Sequence, residues 1–228
     1  MELKDSVALV TGAGRGLGRH FATQLVERGA KVYAAARRPE TVDVPGAIPL
    51  RLDLTDRESV RAAALIASDT TLLVNNAGLY TGAALIGGEL EDLRLEMETN
   101  FFGPLAVTRA FAPVIEANGG GSVLNVLSAL SWFHPAAYGG YSAAKAASWA
   151  LTNATREELA PRGIAVSALH VGYMDTDMAA GVPDDQKTDP AEVAALALDG
   201  LENGIPEILA DEVSRQVKQG LAAPVATA

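Results

Sequence analysis

Tyr141 and Lys145 stand four residues apart in Tyr141-Ser-Ala-Ala-Lys145, and Ser128 lies thirteen residues before the tyrosine. On a helix, that spacing projects a phenol and an ammonium from one face, a turn apart. A free phenol, with a pKa of about 10, is a poor proton donor at neutral pH. A fixed positive charge beside it stabilises the phenolate and draws the pKa toward the working range, which makes a general acid of the tyrosine. Alone, the same spacing also describes an ordinary surface helix pair, so its surroundings must decide.

Those surroundings begin at the N-terminus. The apolar run Val7-Ala-Leu-Val10 leads directly into Thr11-Gly-Ala-Gly-Arg-Gly-Leu-Gly18. This reads as strand, tight turn and helix, with Gly12, Gly14, Gly16 and Gly18 permitting positive φ and close backbone approach. The first free N–H groups of the helix then point into the turn, a seat for a pyrophosphate. Gly12, Gly16 and Gly18 give G-x-x-x-G-x-G rather than the more usual G-x-G-x-x-G.

Short β-rich runs alternate with longer helical stretches along the chain. Expected strands cover 7–10, 31–35, 48–51, 71–74, 122–127, 164–170 and 207–210, and expected helices cover 16–28, 57–67, 90–117, 141–162, 190–203 and 211–221. The alternation predicts an α/β chain with a parallel sheet of about seven strands and helices on both faces. Ligands of such sheets lie beyond the carboxyl ends of the strands, where Gly12, Asp53, Asn76, Ser128 and Gly172 would converge. The length of 228 residues and an apolar content of 49% suit one doubly wound domain spanning residues 1–228.

Taken together, these residues resemble the short-chain dehydrogenase/reductase family, in an ordered series from about residue 4 to residue 178. Residues 11–18 match its T-G-x-x-x-G-x-G cofactor loop, and Asp53-Leu54 match the acidic position that meets the adenine. Asn75-Asn-Ala-Gly78 match its N-N-A-G turn, with Asn76, Ala77 and Gly78 facing the cofactor; Asn100, Ser128, Tyr141 and Lys145 match its catalytic tetrad. The resemblance implies a Rossmann-type fold, reversible hydride transfer between nicotinamide and a ketone or aldehyde carbon, and a small-molecule carbonyl or alcohol substrate. Tyr141 would donate the proton, and Ser128 would bond the substrate oxygen and stabilise its developing charge. Lys145 would lower the tyrosine pKa and hold the nicotinamide ribose. Asn100 would position a water that relays protons toward Lys145; its bland alternative is to satisfy backbone groups in its own helix.

Cofactor choice turns on the end of the second strand, where NAD-selecting enzymes place a carboxylate for the adenosine ribose. Ala36 occupies that position here, followed by Arg37 and Arg38, and Arg15 inside the glycine loop adds a third cation. Guanidinium groups offer the paired donors that a 2′-phosphate accepts, so the expected cofactor is NADP(H). Leu17, Gly172, Met174 and Thr176 complete the expected cofactor contacts. Leu130, Trp132, Phe133, Tyr138 and Tyr173 flank the tetrad as the expected substrate wall, which favours a moderately bulky apolar ketone or aldehyde. His134 and His170 occupy no metal-ligand spacing, and Asp175 and Asp177 read as helix-capping or solvating residues.

Composition narrows the partners. A net charge of −10 argues against nucleic acid and anionic membrane surfaces, and the lack of cysteine excludes disulfides, thiol catalysis and thiolate metal sites. No basic leader or bilayer-length apolar run is visible, so cytoplasmic residence is the expectation. Two departures limit the resemblance: Val171-Gly172 replaces the usual Pro-Gly, and after Asp177 a short polar stretch, with a lid at about 177–190, leads to a C-terminal helix at about 211–221. Self-association through the helices carrying Leu90 and Tyr141 is expected to give a homodimer or homotetramer. The rival from another class is a catalytically idle NADP(H)-sensing regulator, whose relatives typically lose the tyrosine or lysine.

Overall fold

The structure is a computed structural model that describes residues 2–223. Seven strands form one parallel sheet: β1 (Val7–Thr11), β2 (Lys31–Ala36), β3 (Ile48–Arg51), β4 (Leu72–Asn75), β5 (Gly121–Val126), β6 (Ile164–His170) and β7 (Glu207–Leu209). Their order across the sheet is β3-β2-β1-β4-β5-β6-β7. The order reverses between β1 and β4, which opens a crevice at the carboxyl ends of those two strands.

Alternation along each strand divides the apolar side chains between two faces. Ala8 and Val10, Leu72 and Val74, and Leu124 point to one core, packed against Leu17, Phe21 and Leu25 of α1 (Gly16–Glu27) and Val193 and Leu198 of α6 (Pro190–Glu202). Leu9, Leu73 and Val123 point to the other, packed against α2 (Arg57–Ile66) and against Val107, Phe111 and Ile115 of α4 (Gly103–Ala117). Leu159 closes that layer from α5 (Gly139–Leu159). Buried on both faces, the sheet needs the continuous apolar strands seen in the sequence. Among the described residues no helix is long and apolar enough to cross a membrane.

One expected helix is broken. Residues 90–117 form α3 (Leu90–Met97), a π-helical turn (Glu98–Phe102) and then α4. Pro104 explains the break: it has no N–H to donate to the carbonyl four residues back, which belongs to Asn100. The freed Asn100 oxygen instead accepts the Ser148 hydroxyl at 2.6 Å, so the interruption also locks this helix to α5.

Candidate active site

The two central loops are tied to each other before any ligand is considered. Thr11 Oγ1 donates to Val74 O and accepts the N–H groups of Asn76 (2.9 Å) and Ala77 (3.1 Å), while Asn76 Nδ2 donates to Thr11 O at 2.8 Å. Gly12 and Gly16 adopt φ of 69° and 51°, the left-handed region open to glycine. A Cβ on Gly18 would run into the Gly12 carbonyl oxygen and the Asn76 amide, so only glycine fits there. Arg15 precedes α1 without a side-chain cap, leaving its first N–H groups facing the turn.

From this turn a cleft of about 1200 Å³ runs along the strand ends. All the expected cofactor residues line it, from the glycine turn through Arg37, Arg38, Asp53, Leu54 and Asn76–Gly78 to Tyr141, Lys145, Gly172, Met174 and Thr176. Burial opposes the Asp53 charge, but hydrogen bonds from Thr55, with Arg37 and Arg51 nearby, hold its carboxyl below the usual range. Such a ladder of backbone donors at one end, two guanidinium groups at the strand end beside it, and a fixed carboxylate fits a phosphorylated dinucleotide.

Ser128, Tyr141 and Lys145 meet at the far end of the cleft. Tyr141 and Lys145 share one face of α5 as expected, with Lys145 Nζ 5.6 Å from the centroid of the phenol ring. The expected electrostatics are corrected, however. Burial, with the charge of Glu96 adding to it, pushes the Tyr141 phenol well above its ordinary value, and burial lowers Lys145 to about 8. The ammonium donates to Val126 O at 2.9 Å, so its charge is shared with a carbonyl rather than devoted to the phenol.

Asn100 also departs from expectation. Its Oδ1 accepts Leu79 N–H at 3.1 Å, and its Nδ2 donates to Leu79 O (2.8 Å) and Glu96 O (2.9 Å). The amide clamps the loop after β4 and bonds its own helix, which is the alternative of satisfying backbone groups. A small cavity of about 10 Å³, lined in part by Asn75, Asn100, Lys145 and Ser148, lies next to it.

Four of the five expected substrate residues, Leu130, Phe133, Tyr138 and Tyr173, line the cleft. Trp132 does not: it is buried, stacked on His170 at 3.6 Å and set edge-on to Trp149 at 5.8 Å. It follows a short 3-10 turn in which Ala129 and Ser131 face inward while Leu130 faces the cleft, so nearness in sequence to Ser128 misleads. Arg15 lines the cleft but forms an exposed ion pair with Asp177 at 2.7 Å, and Asp175 pairs with Lys187 at 3.4 Å; neither aspartate caps a helix, and both are solvated, Asp177 in the first turn of a 3-10 helix. Sequence reasoning missed Tyr80, whose ring lies 5.5 Å from Tyr138 and 5.7 Å from Tyr141, together with Met178, Val182 and Val213. An aromatic two residues past Gly78 was the available signal for Tyr80.

Comparison with known proteins agrees with this geometry. The family model described as short chain dehydrogenase matches residues 6–187. The 3-oxoacyl-[acyl-carrier-protein] reductase of Vibrio cholerae is 31% identical over 217 residues, covering 86% of this chain and 89% of its own. The NADPH-dependent 1-acyldihydroxyacetone phosphate reductase of Schizosaccharomyces pombe is 34% identical over 182 residues, 75% of this chain and 61% of its own. A short chain dehydrogenase from Burkholderia cenocepacia, solved in complex with NADP, superposes with a TM-score of 0.93 at 40% identity, over 98% of this chain and 95% of its own.

Proposed function

This chain belongs to the short-chain dehydrogenase family, and on that premise we propose that it is an NADP(H)-dependent oxidoreductase interconverting a neutral, apolar ketone or aldehyde with its alcohol. The single observation that carries the reading is the convergence of Ser128, Tyr141 and Lys145 in the cleft that also holds the glycine turn and Arg37 and Arg38. The relative solved with NADP and the NADPH-dependent relative support the choice of cofactor.

NADP(H), when bound, supplies or takes up the hydride. Arg37 and Arg38 would hold its 2′-phosphate, with Arg15 free to exchange Asp177 for that phosphate, because an exposed pair of this kind is worth only about 0–1 kcal/mol. Gly12, Gly16 and Gly18 would admit the pyrophosphate, and Asp53 and Leu54 would border the adenine. At the other end Ser128 donates to the carbonyl oxygen, fixing its position and stabilising charge as it develops there. Tyr141 passes its proton to the same oxygen. A phenol held above its ordinary pKa keeps its proton at neutral pH and gives it up less readily, so the charge of Lys145 is needed to favour the phenolate as the proton leaves. Lys145, lowered to about 8, sits on the same helix face to accompany the phenolate once the proton has gone.

Substrate chemistry follows from charge. Every cationic lysine or arginine lining the cleft, Arg15, Arg37, Arg38 and Lys145, is placed with the cofactor or the acid. Around the carbonyl site stand Leu79, Tyr80, Leu130, Phe133, Tyr138 and Tyr173, and among the described residues lining the cleft no further lysine or arginine is left to neutralise a carboxylate or phosphate. Both relatives are named as reductases of acyl-bearing carbonyl compounds, and the second is named for a substrate that carries a phosphate. Here a neutral carbonyl fits better. A single domain would carry both halves of the reaction, and exposed Leu90 and Phe102, at the start of α3 and in the π-helical turn, support self-association as a dimer or tetramer.

The test is a NADPH-oxidation screen over neutral ketones, aldehydes and quinones, with Tyr141→Phe as control. The variant is expected to lose about 100-fold to 10,000-fold in turnover while keeping NADPH affinity. Turnover surviving in Tyr141→Phe sinks the acid role, and a wild type that binds NADPH without reducing anything points to the regulatory alternative.

A further inference from the structure

The family model ends at residue 187, yet the chain beyond it reaches both loops of the candidate active site. His170, the last residue of β6, is completely buried. Its Nδ1 lies 3.2 Å from the carbonyl oxygen of Ser128, which also accepts the Ser131 N–H at 2.9 Å. The imidazole stacks on Trp132 at an interplanar angle of 15°. Among the described residues its Nε2 has no hydrogen-bond partner, and the carboxylate oxygen Oε1 of Glu207 stands 3.6 Å away.

Glu207 belongs to β7, and its other oxygen accepts Lys218 Nζ at 2.6 Å from α7 (Glu212–Gly220). That ammonium lies 4.7 Å from the Trp132 ring centroid and 5.9 Å from that of Trp149, a cation over two indoles. A second tether runs through Asp211. Its Oδ1 caps α7 by accepting Ser214 N–H at 2.7 Å, and its Oδ2 accepts the N–H of Gly172 in the loop that carries Met174 and Thr176. Val213, in the first turn of α7, lines the cleft itself.

Burial lowers the imidazole pKa to about 4, so the ring is neutral near neutral pH. Of its two neutral tautomers, the one protonated on Nδ1 donates to Ser128 O; the other would set two lone pairs against each other. The orientation of the ring therefore bears on where the Ser128 backbone sits. Its flanks are already fixed, with Leu127 N–H on Leu169 O at 2.7 Å and Ala129 N–H on Val171 O at 3.0 Å, but the Ser128 N–H reaches only Ser131 Oγ at 3.4 Å.

We propose that His170 is a positioning residue for Ser128, held by its stack on Trp132, which Lys218 of α7 covers and Glu207 of β7 braces through Lys218, and that β7 and α7 thereby serve the catalytic centre, with Asp211 fixing the adjoining Gly172 loop. The proposal rests on the oxidoreductase reading above. It gives the C-terminal segment a task that the family match does not assign. A reacting hydroxyl displaced by about 1 Å can lose on the order of 100-fold in rate, so a backbone brace outside the cleft can act on turnover without touching substrate.

The experiment compares His170→Phe, which keeps ring stacking and volume but has no donor, with His170→Asn, which restores an N–H donor. Steady-state kinetics with NADPH and the best carbonyl of the screen are expected to show kcat about tenfold lower in His170→Phe, with KM for NADPH within about twofold of wild type. His170→Asn is expected to recover most of that loss. A purely structural role would lower the melting temperature of both variants and leave kcat per folded molecule unchanged, which overturns the proposal. If His170→Phe does not fold, Asp211→Asn serves in its place: asparagine caps a helix well but can satisfy only one of the two N–H groups that Asp211 holds. A folded Asp211→Asn with unaltered kcat also overturns the proposal, and a fall of about threefold or more at unchanged NADPH KM supports it. An active wild type with unaffected variants defeats the brace alone, whereas a wild type that binds NADPH and reduces nothing defeats the oxidoreductase reading and the brace with it.

Discussion

The two ends of the cleft are made of different material. The glycine end is backbone against backbone: Gly12, Gly18, Thr11 and Asn76 fill each other's space, and no side chain larger than hydrogen fits at Gly18. The carbonyl end is a wall of side chains on short turns, several of them open to solvent, such as Phe133 at 57% exposure and Met178 and Val213 at 49% each. The contrast teaches that one end must recognise a single ligand shape, while the other can be rebuilt side chain by side chain without disturbing the sheet.

The largest expected effect breaks the comparison if it fails. Gly18→Ala forces a methyl group into the Gly12 carbonyl and the Asn76 amide, and overpacking of this kind costs about 1–3 kcal/mol. A fall in NADPH affinity of about tenfold or more, with a lowered melting temperature, is expected from fluorescence titration and thermal melts. Phe133→Ala, at the open end, is expected to move stability by less than about 0.5 kcal/mol and to alter only substrate KM. Equal destabilisation by both changes would erase the distinction between the two ends.

What the sequence disclosed follows the same division. That the glycine turn, Asn76, Ser128, Tyr141 and Lys145 line one cleft was legible because steric fit at a tight turn and the spacing of side chains on a helix admit few arrangements. All seven strands were legible to within a residue or so at their ends, because a sheet covered on both faces demands continuous apolar runs. Trp132 was misread because the direction of a side chain leaving a 3-10 turn has no period to follow. The π-helical turn was hidden inside a helical pattern, although Pro104, four residues after Asn100, marked it. The sign of the Tyr141 shift depends on how much water reaches the phenol, which spacing on a helix does not encode.

A smaller effect sharpens the chemistry of the glycine end. Arg37→Ala and Arg38→Ala each remove a cation beside the Ala36 strand end, and a charge-assisted contact to phosphate contributes about 1.5–3 kcal/mol. KM for NADPH is expected to rise about tenfold or more while KM for NADH stays within about twofold. A wild type showing equal constants for the two cofactors, or a lower one for NADH, would overturn NADP(H) preference.

The smallest effect concerns the seam where the carbonyl end meets the C-terminal segment. His170 faces Ser128 O, Glu207, Lys218 and, more distantly, Lys145; burial is the largest influence on it and places its folded pKa at about 4, against 6.5 for the ordinary imidazole. Below pH 6.5 the unfolded chain takes up a proton that the folded chain refuses until about pH 4. Stability therefore falls as pH drops through this window, since it rises with pH wherever the unfolded state binds more protons. His170→Phe removes that proton from the balance. Urea unfolding at pH 7 and pH 4.5 is expected to show a smaller loss of stability for His170→Phe than for wild type, and identical losses would mean that acid sensitivity arises elsewhere, among the exposed carboxylates rather than at this seam.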